Sequence, residues 1–265
     1  MPQPPLAGRR VAVLRPRRQN EELNAGLMSL GAQPLEYPAI DIVPPLAWAP
    51  LDTALAAAAA GRPSYDWFIF TSVNAVQAVA DRLTASQLDL PGDLRVAAIG
   101  PATAAEAART LRVPDLVATR YESTALSYAF ASVVGQRALL PCSDLAEPGL
   151  PRALRARGMD VDVVTAYRTI PVPGASQALA EGLQRGDVDA LVFTSGSTVR
   201  ALVTGTEPQA IGAIFARPAP PATFCIGPRT ATVARSAGLP VSAVASPHTT
   251  AGLLSALVTW FQTHA

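Results

Sequence analysis

The sequence predicts an α/β protein of parallel sheets covered by helices. Three observations lead there. Short apolar runs alternate with helical patterns along the chain. The runs are continuously apolar, as in strands buried on both faces. The pattern also occurs twice. Trp67-Phe68-Ile69-Phe70-Thr71-Ser72 returns 123 positions later as Ala190-Leu191-Val192-Phe193-Thr194-Ser195. Ile99-Gly100-Pro101-Ala102-Thr103-Ala104 returns 127 positions later as Ile226-Gly227-Pro228-Arg229-Thr230-Ala231. Gly8-Arg9-Arg10-Val11 aligns with Gly135-Gln136-Arg137-Ala138, Leu30-Gly31 with Arg157-Gly158, and Thr124 with Thr249. Ordered matches at nearly one offset make two copies of about 125 residues, which is domain-sized and too long for a solenoid repeat.

The elements follow in order. Val11 to Leu14 reads as a buried strand, Gln19 to Leu30 as a helix closed by Gly31, and Leu35 onward as a strand. Ala54 to Ala60 is an alanine-rich helix. Phe68–Phe70 and Val96–Ile99 read as strands, each followed by a helix, Asn74–Leu83 and Ala102–Leu111. The second copy gives strands at Ala138–Leu140, Val161–Val164, Leu191–Phe193 and Phe224–Ile226. Its helices fall at Pro148–Arg157, Thr198–Val203 and Arg229–Ala237, with a further apolar helix after Thr249. Two β-branched, proline-bounded runs, Pro38 to Pro45 and Val163 to Pro171, hold equivalent places and predict a paired two-stranded connection.

Composition narrows the function. The 21 basic residues against 20 acidic ones leave a net charge of +1, which argues against coating nucleic acid or a membrane by bulk charge. Every basic residue is arginine. A lysine Schiff base and a lysine-dependent phosphate loop are therefore excluded. The 25 prolines, about double the usual share, imply many tight connections. Cys142 and Cys225 sit in apolar runs and read as small buried hydrophobes. Met1 to Pro5 lacks the apolar core of a signal peptide, and no apolar run reaches the ~18 residues of a membrane span, so a cytoplasmic chain is expected. His248 and His264 form no recognisable metal spacing with the cysteines, and no metal is expected.

The repeated motifs lie where a strand ends and a helix begins, the edge at which open α/β sheets bind ligands. Thr71-Ser72-Val73-Asn74, Gly100-Pro101-Ala102-Thr103, Thr194-Ser195-Gly196-Ser197 and Gly227-Pro228-Arg229-Thr230 each put hydroxyls and free backbone N–H groups at a helix start. Such loops suit carboxylates or phosphates, and they equally suit plain capping by serine and threonine. Arg15, Arg17 and Arg18 follow the first strand and are either a solvated cluster or an anion contact. No Gly-x-Gly-x-x-Gly follows that strand, Ser195-Gly196-Ser197 is not a nucleophile elbow, and Asp187 with Asp189 reads as a solvated loop pair.

These residues resemble the uroporphyrinogen-III synthase family. The likeness is carried by Val13-Leu14-Arg15-Pro16 with Gln19, Phe70 to Val76, Ile99 to Ala104, and Leu140-Pro141 with Asp144. It continues through Tyr167-Arg168-Thr169, Phe193-Thr194-Ser195, Ile226 to Ala231 and Pro247-His248-Thr249, in order over nearly the whole chain. The resemblance implies two flavodoxin-like parallel-sheet α/β domains joined by a two-stranded β-ladder. Carried onto this chain, one domain is 1–37 plus 172–265, the other is 47–162, and 38–46 with 163–171 form the ladder. The repeat therefore does not coincide with the domains.

The implied activity is that of a cyclising hydro-lyase in tetrapyrrole biosynthesis. It closes hydroxymethylbilane to uroporphyrinogen III with inversion of ring D and loss of water, without metal or organic cofactor. Tyr167 on the ladder, facing the cleft, is the implied general acid. The substrate's eight carboxylates match the helix starts. Contacts are expected from Ser72, Asn74, Thr103, Ser123, Thr124, Ser195, Gly196, Ser197, Thr230 and Thr249, with Arg15 as an outlying cation. A monomer with no nucleic-acid or membrane partner is expected. A non-catalytic tetrapyrrole sensor and a two-domain binder of small anions are the competing readings.

Overall fold

The computed structural model describes residues 3–16, 19–60, 64–118 and 123–264, apart from the side chains of 123–125 and 208. The chain opens with β1 (Arg10–Val13), α1 (Glu21–Ser29), β2 (Gln33–Glu36) and β3 (Ile40–Val43). It continues through α2 (Ala49–Ala59), β4 (Trp67–Phe70), α3 (Val73–Ser86), β5 (Arg95–Ile99), α4 (Pro101–Thr110), β6 (Leu116–Ala118), α5 (Ser123–Ala129), β7 (Arg137–Ser143), α6 (Gly149–Ala156) and the long β8 (Asp160–Pro171). Last come α7 (Ala175–Arg185), β9 (Ala190–Phe193), α8 (Gly196–Thr204), α9 (Pro208–Phe215), β10 (Ala222–Cys225), α10 (Pro228–Ser236), β11 (Ala243–Val244) and α11 (Thr250–Thr263).

The chain divides into two units. Unit 1 is Met1–Asp41 with Ile170–Ala265, and unit 2 is Ile42–Thr169. The divisions fall inside β3, between Asp41 and Ile42, and inside β8, between Thr169 and Ile170. Unit 1 carries a parallel sheet in the order β11-β10-β9-β1-β2. The sheet of unit 2 runs β3-β8-β7-β4-β5-β6, parallel from β8 to β6. This is the α/β architecture of two parallel sheets that the sequence predicts.

Each sheet mixes the two sequence copies. Unit 1 takes β1 and β2 from the first copy and β9 to β11 from the second; unit 2 takes the complementary set. The registers agree: Val11 lies opposite Ala190 in unit 1, and their repeat equivalents Ala138 and Trp67 lie opposite each other in unit 2.

Strand alternation assigns the cores. In unit 1, Ala12, Leu191, Phe193 and Cys225 face helices α7 to α10, while Val11, Val13, Val192 and Phe224 face α1 and α11. In unit 2, Phe68, Phe70, Val96 and Leu139 face α2 to α4, while Trp67, Ile69, Ala97 and Leu140 face the other side, with α5 and α6. Helices on both faces explain why the strands read as unbroken apolar runs.

Asp189 is not a solvated loop residue. It accepts the Arg10 backbone N–H at 2.7 Å and the Arg10 guanidinium at 3.1 Å, pinning the start of β1. Its repeat equivalent Asp66 accepts the Arg137 N–H at 2.9 Å at the start of β7. Asp187 pairs with Arg185 at 2.7 Å. A strand's first N–H needs a partner, and a loop aspartate supplies it.

Candidate functional site

Because the strands of each sheet are parallel, their C-terminal ends share one edge, where the helix starts gather. In unit 2, Ser72 is the N-cap of α3, with φ −156° and ψ 152°, and its Oγ accepts the Ala75 N–H at 3.2 Å. The same Oγ lies 3.1 Å from the Tyr167 hydroxyl. Asn74 hydrogen-bonds that phenol as well. Gly100 starts α4 at φ 77° and ψ 159°, a conformation that needs glycine. One turn on, Thr103 is 5% exposed and its hydroxyl has no partner among the described residues.

Tyr167 reaches Ser72 because β8 breaks its own alternation. Val161 faces the α5–α6 side, and Ala166 the α2–α4 side. Strict alternation would return Tyr167 to the Val161 face. Pairing with β7 instead steps from Cys142 opposite Thr165 to Ser143 opposite Tyr167. Ala166 is the extra residue of a β-bulge, and Tyr167 packs on the same core as α3. Burial raises the Tyr167 pKa, while hydrogen bonds from Ser72 and Asn74 act the other way by favouring the phenolate. The result is a neutral phenol whose conjugate base already has donors in place.

Unit 1 repeats the frame with different contents. Ser195 caps α8, accepting the Thr198 N–H at 3.4 Å, and its Oγ lies 2.8 Å from that of Ser197. Thr249 caps α11 by accepting the Gly252 N–H at 3.2 Å. Thr230, in the first turn of α10, is 6% exposed with no partner among the described residues. A Cβ on Gly196 would meet Val233 of α10 at 3.1 Å and the Arg200 guanidinium at 3.6 Å. Arg200 therefore folds back over the first turn of its own helix. No carboxylate pairs with it among the described residues. Arg15 follows β1, bonds Gln19 Oε1 at 3.2 Å, and has its pKa lowered chiefly by burial, with Glu22 opposing.

The same positions in unit 2 are internally neutralised. Gln77 stands where Arg200 stands, and Glu106 where Val233 stands. Glu106 takes bonds from Arg109 at 2.7 and 3.1 Å and from Gln77, and Arg109 holds its carboxyl below the usual range.

Both cysteines are buried free thiols, and burial pushes each up to about 11, which leaves them protonated and unreactive near neutrality. His248 contacts the Ala245 carbonyl through Nδ1 at 2.8 Å. Among the described residues, no group of three or more His, Cys, Asp or Glu side chains could hold a metal ion, and no helix is long and apolar enough to cross a membrane.

The family model described as uroporphyrinogen-III synthase HemD matches residues 21–255. The chain belongs to the uroporphyrinogen-III synthase family. It is 32% identical over 266 residues to the uroporphyrinogen-III synthase of Synechococcus elongatus, covering 98% of both chains. It is 26% identical to the porphyrin biosynthesis protein HemD of Ruminiclostridium josui, covering 89% of this chain and 45% of that protein. Among solved structures, a mutant uroporphyrinogen III synthase of Thermus thermophilus matches with a TM-score of 0.72 at 25% identity, over 97% of this chain and 100% of that one. The Helicobacter pylori uroporphyrinogen-III synthetase shares the fold, with a TM-score of 0.55 at 16% identity over 95% and 99%.

Set against this uroporphyrinogen-III synthase fold, the expected site residues separate by unit. Tyr167, Ser72 and Asn74 meet at one corner of unit 2, with Thr103 at the neighbouring helix start. Arg15, Ser195, Gly196, Ser197, Thr230 and Thr249 all lie at the strand-end edge of unit 1. Ser123 and Thr124 open α5, but their side chains lie outside the described residues, as do Arg17 and Arg18. Sequence reasoning misses Arg200. Its i,i+4 spacing from Gly196 is the available signal, since helical side chains lean toward the N-terminus.

Proposed function

We propose that this chain cyclises hydroxymethylbilane to uroporphyrinogen III, with Tyr167 as the general acid. The observation that carries the reading is the neutral Tyr167 phenol held 3.1 Å from Ser72 at the start of α3. The phenol proton passes to the terminal hydroxyl of the substrate. The C–O bond breaks, water leaves, and the pyrrole nitrogen supplies the electron pair that forms the azafulvenium cation; the proton lost at ring closure returns to the phenolate. Ser72, Asn74 and the positive end of α3 stabilise the phenolate until it is re-protonated. Acid assistance of this kind contributes typically ~10²–10⁴-fold. Loss of a hydroxyl next to a pyrrole needs acid and positioning alone, so the reading calls for no metal or organic cofactor.

The substrate carboxylates are assigned to the helix starts. Thr103 and Thr230 favour this by their place in the first turns of α4 and α10, where neither hydroxyl has a partner among the described residues. Unit 1 adds Ser195, Gly196, Ser197 and Thr249 and the two cations Arg15 and Arg200. Ser123 and Thr124 belong to the same set by their place at the start of α5. The protein acts as a cytoplasmic monomer. The test is to supply hydroxymethylbilane and measure the ratio of type III to type I product, since the free intermediate closes unaided to type I. An excess of type III is expected. A ratio unchanged from the spontaneous one, with tight binding, would establish a tetrapyrrole sensor instead.

A further inference from the structure

The bulge that aims Tyr167 has its own clamp. Asp144 follows β7 directly. Its backbone N–H donates to the Tyr167 carbonyl at 3.2 Å. Its Oδ1 accepts the Thr169 N–H at 3.0 Å and the Ser143 hydroxyl at 2.9 Å. The Ser143 Oγ also lies 3.3 Å from the Thr169 Oγ1 and accepts the Leu145 N–H at 3.1 Å. Asp144 thus ties the end of β7 to the residues on both sides of Arg168, its backbone N–H to Tyr167 and its carboxylate to Thr169, just after the extra residue Ala166. A bulge leaves its ladder locally unpaired, so the side chain it re-aims is only as fixed as the bonds beside it. Asp144 is exposed, and it buries no apolar surface that would explain it as a core residue.

We propose that Asp144 is a positioning residue: by locking the Ala166 bulge it holds the Tyr167 phenol at Ser72 and Asn74. This rests on the reading of Tyr167 as the general acid. Displacement of a reacting group by about 1 Å can cost up to about 100-fold in rate. The carboxylate contributes as an acceptor to Thr169 N–H and Ser143 O–H. An asparagine Oδ1 at the same place accepts the same bonds; an alanine accepts none.

The experiment measures kcat and KM for type III formation in six proteins. Asp144→Ala, Asp144→Asn and the unchanged residue are each combined with Tyr167 and with Tyr167→Phe. We expect Asp144→Ala to lower kcat roughly tenfold or more with KM within about twofold. Asp144→Asn should restore most of the rate. In the Tyr167→Phe background Asp144→Ala should cost nothing further, because coupled residues are not additive. The proposal is overturned if Asp144→Ala leaves kcat intact, if Asp144→Asn is as slow as Asp144→Ala, or if Asp144→Ala costs the same factor without the phenol. Should Tyr167→Phe alone leave turnover unchanged, the general-acid reading fails and takes the Asp144 proposal with it. A slow Tyr167→Phe beside a normal Asp144→Ala removes only the Asp144 proposal.

Discussion

The starts of α3 and α8 descend from one repeated motif and have become different devices. Ser72 and Ser195 cap their helices through the same bond, to Ala75 N–H and Thr198 N–H. At α3 a bulged strand brings in a buried phenol, and the neighbouring charges are neutralised within Gln77, Glu106 and Arg109. At α8 no phenol arrives, Ser197 takes the hydroxyl contact, and Arg200 folds over the first turn unpaired among the described residues. A cation at a helix N-terminus is opposed by the macrodipole, by about 0.3–1 kcal/mol at an exposed site, so its place there makes sense when an anion joins it. The difference teaches that one capped helix start can seat a buried phenol or stand beside a cation, depending on what the adjoining strand and helix bring; in the proposed reaction the first serves as proton donor and the second as carboxylate site.

The largest effect expected is from Tyr167→Phe, which keeps the ring and its packing. It should lower kcat for the inverted isomer by about 10²–10⁴-fold and leave KM nearly unchanged, as steady-state kinetics would show. A pH series sharpens the point. Burial holds this phenol above the ordinary tyrosine value of about 10. The acid form therefore persists through neutrality, and loss of rate from its deprotonation should begin only above about pH 10. An alkaline limb near about pH 8 that disappears in Tyr167→Phe would contradict the assignment.

Next in size is Arg15→Ala. A charge-assisted bond contributes about 1.5–3 kcal/mol, so KM should rise by roughly 10- to 150-fold at constant kcat. A fall in kcat with KM unchanged would move Arg15 from holding to chemistry. Arg200→Gln, which gives unit 1 the residue that unit 2 has at Gln77, should raise KM only a few-fold. That increment should fade as salt screens the exposed charge. An effect of Arg200→Gln that persists at about 1 M salt would mean packing and not charge.

Much of this is readable from the sequence. The strands announce themselves because helices cover both faces, so Val11 to Val13 or Phe68 to Phe70 carry no polar alternation. The helix α7 is missed by the sequence reading although its signals are present: helix-forming residues, Leu179 and Leu183 four apart on the buried face, and Gly186 as a left-handed C-cap. Helix α9 has Pro208 at its start, which marks a helix N-terminus, but Gly212 within its eight residues weakens the pattern. The edge strands β6 and β11, at three and two residues, are too short to show a period. The long β8 reads in sequence as two separate runs.

For the site, the serine and threonine motifs fall at helix starts, Ser72 at α3 and Ser195 at α8, but do not show their roles. Tyr167 stands out only through family resemblance. The bulge that turns it, and the aspartate that pins the bulge, depend on a register between β7 and β8 that no local pattern encodes.

Ser72→Ala and Ser195→Ala compare the two helix starts most directly. Each removes an equivalent cap and should cost about 1 kcal/mol of stability, measured by denaturant unfolding. Their kinetics should part: Ser72→Ala lowers kcat because the phenolate loses a donor, and Ser195→Ala raises KM because a carboxylate does. Equal kinetic signatures for the two variants would contradict the division of work between the units.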